Sequence, residues 1–535
     1  MHSHRRYSSS DASTRSGARP PPSALFGDVP PSPLCLALSR ISSHCDAPDS
    51  AVDLGDSGRR NLVLFFDGTG NQFGPTTTNI PTLFSMCELN PKKQLVYYQT
   101  GIGTSIATWE SPFTPSKIVN RVAQILDTGI AWSLGTHVQK GYEFLMNCTS
   151  SLGGFPRGAF TARALAGMVQ QVGLLPAGNE ETVPLAYSIY KKAAATPLTP
   201  TETLAQGFKR TFSRSVEIEF VGVFDTVSSV GALWPKTLPF AAGSRTTHHF
   251  RQALALDECR ARYNPQPWVP DNTDDKTVVK EVWFAGSHSD VGGGEFPYDG
   301  DATPSLSHPP LRWMLREAVE QGLSLDAARV EASPLFAPYM HGGRQLVRAF
   351  RMGTAPTTLT DQGISMTKAQ DYLKQAEEKN PDVDPVAAAS VYLSSLALQA
   401  PNDALAPRAN HLSFRFEAPS STFGFIATLR NLASRVRQCG IASWWWLLEL
   451  SPTPKVVWDA DGKRTRWKIR ANLGQSRLLP SSPFFHHSVR TRYDAPASAL
   501  HGQGNNANYP EGPDGYKPMA RFRRGEGCET VRWAE

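Results

Sequence analysis

No run of 18 or more apolar residues occurs in this chain, which excludes a transmembrane helix. The N-terminus also lacks an apolar core behind its arginines, so residues 1–20 do not read as a secretory signal. Cysteine is sparse. Seven are spread over 535 residues, at positions 35, 45, 87, 148, 259, 439 and 528, with no C-x-x-C spacing. An odd, scattered set argues against a disulfide framework or a structural zinc site and fits a reducing compartment. Charge of one sign is lacking too: the net charge is +6, and Lys and Arg are dispersed apart from short clusters such as Arg521-Phe522-Arg523-Arg524. That pattern suits a solvated surface rather than a nucleic-acid-binding face, so no nucleic acid is expected as a partner. No cofactor motif emerges, and no cofactor or metal is expected. The expectation is an intracellular, cytoplasmic protein whose membrane contact, if any, is peripheral.

What is present is enough chain for a large core and more than one domain. Residues 1–58 are rich in Ser, Pro and Arg without periodicity and read as a disordered tail. Residues 59–322 carry apolar runs that each end in small polar residues. Residues 323–500 read as a helical region, and residues 501–535 as a loose, Gly/Pro/Arg-rich tail.

The chain is organised around Gly153-Gly154-Phe155-Pro156-Arg157-Gly158-Ala159-Phe160-Thr161-Ala162-Arg163. A tight glycine turn opening a helix is the outline of a nucleophile elbow, where the helix N-terminus supplies N–H groups for an oxyanion. The central position of Gly154-Phe155-Pro156-Arg157-Gly158 should hold a serine, and it holds Pro156. An elbow also needs an apolar strand directly before it. Cys148-Thr149-Ser150-Ser151-Leu152 is too polar and too short to provide one. One local deletion, or one misplaced exon boundary, accounts for both losses.

Other segments follow the same logic. Asn61-Leu62-Val63-Leu64-Phe65-Phe66 is an apolar strand ending in Asp67-Gly68-Thr69-Gly70-Asn71, the C-terminal edge at which ligands bind in open α/β sheets. Asp67 caps that loop or serves the site. Residues 216–224 form a strand that ends at Asp225, a position suited to the acid of a Ser-His-Asp arrangement or to a helix N-cap. Arg251-Gln252-Ala253-Leu254-Ala255-Leu256-Asp257-Glu258 reads as helical. Residues 277–285 form a strand followed by Gly286-Ser287-His288-Ser289-Asp290, with Gly292-Gly293-Gly294 after it. A lone histidine is usually filler. At a strand end beside glycines, His288 is instead a candidate general base, and Asp290 a loop organiser.

The elbow segment, the Asp67 and Asp225 strand ends and the block 284–294 together resemble the DUF2235 family. Its α/β-hydrolase-like members include the catalytic domains of bacterial type VI secretion phospholipase effectors and many fungal proteins. The resemblance covers residues 60–320 and, more loosely, the C-terminal part. It implies an α/β fold, a mostly parallel sheet flanked by helices, and hydrolysis of phospholipid acyl esters. It also implies catalytic roles for Asp225 and His288, and oxyanion or loop roles for Gly68, Thr69, Arg157 and Gly158. The order Pro156, Asp225, His288 is the Ser…Asp…His order of that fold. With Pro156 in place of serine the chain is expected to be inactive, and serine alone is expected to restore little without the missing strand. Three rival readings remain: a pseudo-enzyme binding lipid or a protein partner, a metal-dependent phosphoesterase using Asp67, Asp225, His288 and Asp290, and a scaffold with no small-molecule site.

Residues 423–450 set Phe425, Leu429 and Leu432 on one helical face and Arg430, Arg435 and Arg437 on another, and end in Trp444-Trp445-Trp446-Leu447-Leu448. Tryptophan beside arginine suits a membrane interface, while the plainer alternative is a helix packed on the hydrolase core. If this stretch holds the protein on phospholipid, co-sedimentation with liposomes should fall when Trp444, Trp445 and Trp446 are all changed to alanine. Equal sedimentation of both folded proteins removes the membrane role.

Overall fold

The structure is a computed structural model. It describes residues 61–68, 76–101, 129–146, 151–154, 157–192, 203–227, 243–260, 263–269, 276–297, 304–354, 364–396, 403, 404, 406, 453–458, 464–470, 476–495, 516, 518, 520 and 532–534. The expected N-terminal tail, Thr69, Pro156 and the stretch 423–450 with Trp444–Trp446 lie outside the described residues.

The chain enters through β1 (Asn61–Phe66), whose residues are nearly all buried. Thr78, at the end of β2 (Thr76–Thr78), caps α1 (Asn79–Met86) by accepting from the Ile80 N–H. Next come β3 (Gln94–Gln99), α2 (Gly129–Met146), β4 (Ser151–Gly154) and α3 (Arg157–Val172). Helices α4 (Val183–Lys192) and α5 (Leu204–Phe212) precede β5 (Ile218–Phe224), β6 (Thr247–Ala255) and β7 (Val278–Phe284). A five-residue α6 (His288–Gly292) leads through β8 (Gly293–Pro297) to α7 (His308–Glu320). Helices α8 (Ala327–Ala332), α9 (Met340–Met352), α10 (Met366–Lys379) and α11 (Pro385–Ser395) follow. The hairpin strands β9 (Thr453–Trp458) and β10 (Arg464–Arg470) precede β11 (Phe484–His486), α12 (His487–Asp494) and β12 (Arg532–Ala534). Among the described residues, no helix is long and apolar enough to cross a membrane.

Eight strands form one sheet in the order β12-β11-β7-β6-β5-β4-β1-β3. Every neighbouring pair in it is parallel. A parallel sheet must be covered on both faces. Leu62, Leu64 and Phe66 of β1, with Val221 and Val223 of β5, pack into one core with α2, α3, α4 and α5. Phe65 and Val63, with Phe220 and Phe224, face the other side, where Met314 of α7 and Leu83 of α1 meet them. This is the expected α/β-hydrolase-like arrangement. The order reverses between β1 and β4, because β3 lies on one side of β1 and β4 to β7 lie on the other. Their C-terminal ends therefore flank the crevice where such sheets bind ligands.

Three local expectations change. Arg251 to Ala255 read as helical from its Ala and Leu content, yet it belongs to β6. The open edges of β5 and β7 each gain a full ladder from it, and that pairing outweighs a weak intrinsic preference. The strand thought missing before the elbow is present as β4. It starts only at Ser151 and recruits Gly153 and Gly154, which the sequence pattern assigned to the turn. It pairs with β1 from Val63↔Ser151 to Phe66↔Gly154 and with β5 from Leu152↔Val221 to Gly154↔Val223. Partners on both sides compensate for its shortness and polarity. The C-terminal region, expected to be helical and then loose, also supplies strands. Strand β11 pairs with β7, β12 pairs with β11, and Tyr516 and Ala520 join a core with Leu254, Leu256 and Trp283.

Gly158 shows how closely α3 approaches the sheet. A Cβ there would stand 2.0 Å from the Phe66 carbonyl oxygen and 2.8 Å from that of Asp67. Backbone cannot yield as a side-chain tip can, so Gly158→Ala should destabilise the fold by about 3 kcal/mol, at the upper end of overpacking penalties. Urea unfolding checks this. A loss below about 0.5 kcal/mol would show that α3 is not seated this tightly.

Candidate active site

The strand ends at the crevice carry the polar residues singled out in the sequence. At the end of β1, Asp67 is buried and fully engaged. Its Oδ1 accepts from the Gly68 N–H at 2.6 Å and the Thr78 hydroxyl at 2.8 Å, and its Oδ2 accepts from the Tyr98 hydroxyl at 2.8 Å. Burial raises its carboxyl above the usual range, against those three hydrogen bonds. Asp67 is thus the loop organiser of this edge. The Gly68 N–H, expected to face an oxyanion, is instead turned back onto the Asp67 carboxylate. Gly158 lies at the start of α3, where the helix meets β1. Arg157 opens that helix.

At the end of β5, Asp225 is completely buried and has φ of +42°. Among the described residues it is the one non-glycine with positive φ. Aspartate tolerates the left-handed region better than most side chains, but the conformation still costs energy and marks functional sites. The turn directs the carboxylate toward β6 and the loop after β7. Its Oδ1 accepts from the Ala255 N–H at 3.0 Å, and its Oδ2 lies 2.6 Å from His288 Nδ1. The sequence placed His288 at a strand end beside glycines. It is in fact the first residue of α6, held by a capping box in which the Asp290 carboxylate accepts from the Ser287 N–H and hydroxyl at 2.7 and 2.9 Å. Asp290 is the loop organiser it was expected to be. The two residues expected to act together, 63 positions apart, are in direct contact.

Five further residues, Arg477, Glu258, Arg260, Tyr263 and Asp257, build this pocket and were not singled out in the sequence. Arg477 grips Asp225 with both terminal nitrogens, Nη1 to Oδ1 at 2.5 Å and Nη2 to Oδ2 at 2.8 Å. The His288 N–H donates to Glu258 Oε2 at 3.2 Å, and Glu258 is held by Arg260 through Nε and Nη2 at 3.0 and 2.7 Å. The Tyr263 ring meets the His288 ring edge-on at 4.8 Å, with the Arg260 guanidinium 3.7 Å from the Tyr263 ring centre. Asp257 accepts from the Gly286 N–H at 2.8 Å and the Tyr516 hydroxyl at 2.9 Å, bracing the turn that precedes His288. No local pattern marks Arg477, which lies 252 positions beyond Asp225. Glu258 was read as the end of a helix, and Arg260 lies just beyond it.

Burial alone would raise the Asp225 carboxyl. The Arg477 charge, the His288 hydrogen bond and the Arg477 hydrogen bonds overcome it and hold the group well below the usual carboxylate range. An ionised carboxylate only accepts, so it fixes the proton of a neutral His288 on Nδ1 and leaves the Nε2 lone pair as the basic atom. With a guanidinium across both its oxygens, Asp225 is poorly suited to bind a divalent cation. That weighs against the phosphoesterase alternative.

Residues 60–317 match the family described as T6SS, Phospholipase effector Tle1-like, catalytic domain. An uncharacterized protein of Saccharomyces cerevisiae (strain ATCC 204508 / S288c), YEL023C, is 38% identical over 579 aligned positions, covering 82% of this chain and 80% of that protein. Those 579 positions exceed the 535 residues of this chain, so the yeast protein carries residues inside the alignment that this chain lacks. The crystal structure of an uncharacterized protein from Pseudomonas aeruginosa is similar at 15% identity. It covers 83% of this chain and 67% of that one with a TM-score of 0.29, too loose a likeness to carry an argument.

Glu258 tests the electrostatics of the pocket. Burial would raise its carboxyl, but the Arg260 charge and hydrogen bonds, with the charges of Arg477 and His288, hold it down to about 2 from 4.5. A depressed carboxylate contributes stability that is present above its unfolded value and lost as pH falls through its folded value. Stability should therefore decline from pH 4.5 toward about 2, with Glu258 contributing on the order of 3 kcal/mol of the loss. Denaturant titrations across this window should show a shallower decline in Glu258→Gln. Identical slopes would show that Glu258 is not held as an ion.

Proposed function

The chain belongs to the Tle1-like phospholipase effector family, DUF2235, and we propose that it keeps the acid and base of a serine-type lipid ester hydrolase while lacking the nucleophile. The observation that carries this reading is the buried Asp225–His288 contact of 2.6 Å at the C-terminal ends of β5 and β7. In a relative with serine at position 156, the hydroxyl oxygen would attack the acyl carbonyl carbon while the imidazole Nε2 takes its proton. Backbone N–H groups would hold the oxyanion. The imidazolium then protonates the departing alcohol, and water repeats the sequence to release the fatty acid. Asp225 keeps the imidazole oriented and offsets its transient charge.

Pro156 has no hydroxyl and cannot form that acyl-enzyme. Its fixed φ near −65° also conflicts with the strained backbone of an elbow residue. The extra residues of the yeast relative fit a loss of internal segments from this chain. A non-catalytic role, binding lipid or a partner on the same surface, is the reading that Pro156 itself favours.

The unmodified chain should hydrolyse phospholipid or short-chain esters at a rate at least about 10⁴-fold below an intact triad. Because β4 supplies a strand directly before the turn, Pro156→Ser by itself should restore measurable hydrolysis. This differs from the sequence-based expectation, in which that strand was missing. The restored turnover should vanish on adding His288→Ala or Asp225→Asn. Fatty-acid release is the assay. Robust turnover by the unmodified chain that survives His288→Ala would overturn this assignment.

A further inference from the structure

Arg477 lies well beyond the matched residues 60–317, yet it makes the closest charged contact to the Asp225 carboxylate. Besides gripping both carboxylate oxygens, its Nη1 donates to the Ala255 carbonyl at 3.0 Å and its Nη2 to the Tyr263 carbonyl at 2.6 Å. Four hydrogen bonds from two nitrogens leave the planar fork one orientation. The side chain is 2% exposed, so water does not share the carboxylate. Its segment is anchored in the core, where Leu479 packs with Leu254.

We propose that Arg477 is the positioning residue of the Asp225–His288 pair, so that the site is completed by the C-terminal region and not by the family domain alone. This rests on the hydrolase reading of that pair. Two physical requirements support it. A fully buried carboxylate without a cation tends to take up a proton, and a protonated Asp225 would no longer fix the His288 tautomer. A carboxylate free to rotate would also exchange which oxygen meets Nδ1. Arg477 meets both requirements, because its bond to Oδ2 shares the very oxygen that His288 uses. The neighbouring charged groups cannot substitute. Glu258 and Arg260 are paired with each other, and the Glu258 carboxylate takes the His288 backbone N–H.

The test uses the full chain and does not need turnover. In the unmodified protein, the His288 ring should show a low-field Nδ1 proton resonance, assigned by its loss in His288→Gln. It should persist as pH falls until unfolding begins. In Arg477→Met that resonance should vanish or broaden, and labelled Asp225 carboxyl carbon should titrate at higher pH than in the unmodified chain. Arg477→Lys keeps the charge without the fork and, if Arg477→Met fails to fold, is read in its place; its resonance should weaken and shift. In the Pro156→Ser background, Arg477→Lys should lower kcat at least about 10-fold with little change in KM, a loss confined to the chemical step. A folded Arg477→Lys or Arg477→Met protein with an unchanged resonance would overturn the proposal. Loss of that resonance in a chain whose Pro156→Ser form never turns over would support the positioning role and sink the hydrolase reading instead.

Discussion

A single buried negative charge sets the terms for the rest of this molecule. Asp225 has no solvent, and an isolated carboxylate in such a place is costly enough to neutralise itself. It stays ionised because a guanidinium, an imidazole and the Ala255 N–H converge on its two oxygens. Each comes from a different part of the chain: Ala255 from β6, His288 from α6 and Arg477 from the C-terminal region. The positive φ at Asp225 is the local cost of aiming the carboxylate at all three. Removing a partner from such a set leaves a bare charge, which is why buried ionic clusters are demanding on the fold around them.

The same motif recurs where the sheet meets its covering helices. Arg251 of β6 and Lys280 of β7 meet Glu317 of α7 beneath the sheet, and Arg312 of α7 meets Asp403. The first cluster fixes α7 against two strands, and the second ties the start of that helix to a segment near residue 403. Opposite α7, Gly158 lets α3 approach to the Phe66 carbonyl, and the buried Arg163 of α3 donates to Gln252 of β6. The α7 face of the sheet is thus registered by directional ion pairs, and the α3 face by a close glycine approach together with the Arg163 hydrogen bond.

Much of the site was legible because its elements obey local rules. A buried parallel strand is an apolar run, and its C-terminal end must hand over to small polar residues, so Asp67, Asp225 and His288 stand out without any structure. The misread segments are those where neighbours overrule local preference. Residues 251–255 have helix-forming side chains but lie between two strands that need partners. Ser151 to Gly154 looks like a turn, yet fills the gap between β1 and β5. The Gly68 N–H looked available to a ligand until the Asp67 carboxylate proved to hold it.

By itself the sequence determined which strands end in small polar residues, that Asp225 and His288 follow the glycine turn in that order, and that proline stands at position 156. These are properties of composition and local pattern, which do not depend on what lies across the molecule. Only the tertiary structure decided that Asp225 and His288 touch, that Asp67 serves its loop, and that Arg477 closes the pocket. Those outcomes depend on which strand ends become neighbours and on how a buried charge finds its counter-ion. A contact spanning 252 positions has no trace in local spacing, because the field of a buried carboxylate acts through space and not along the chain.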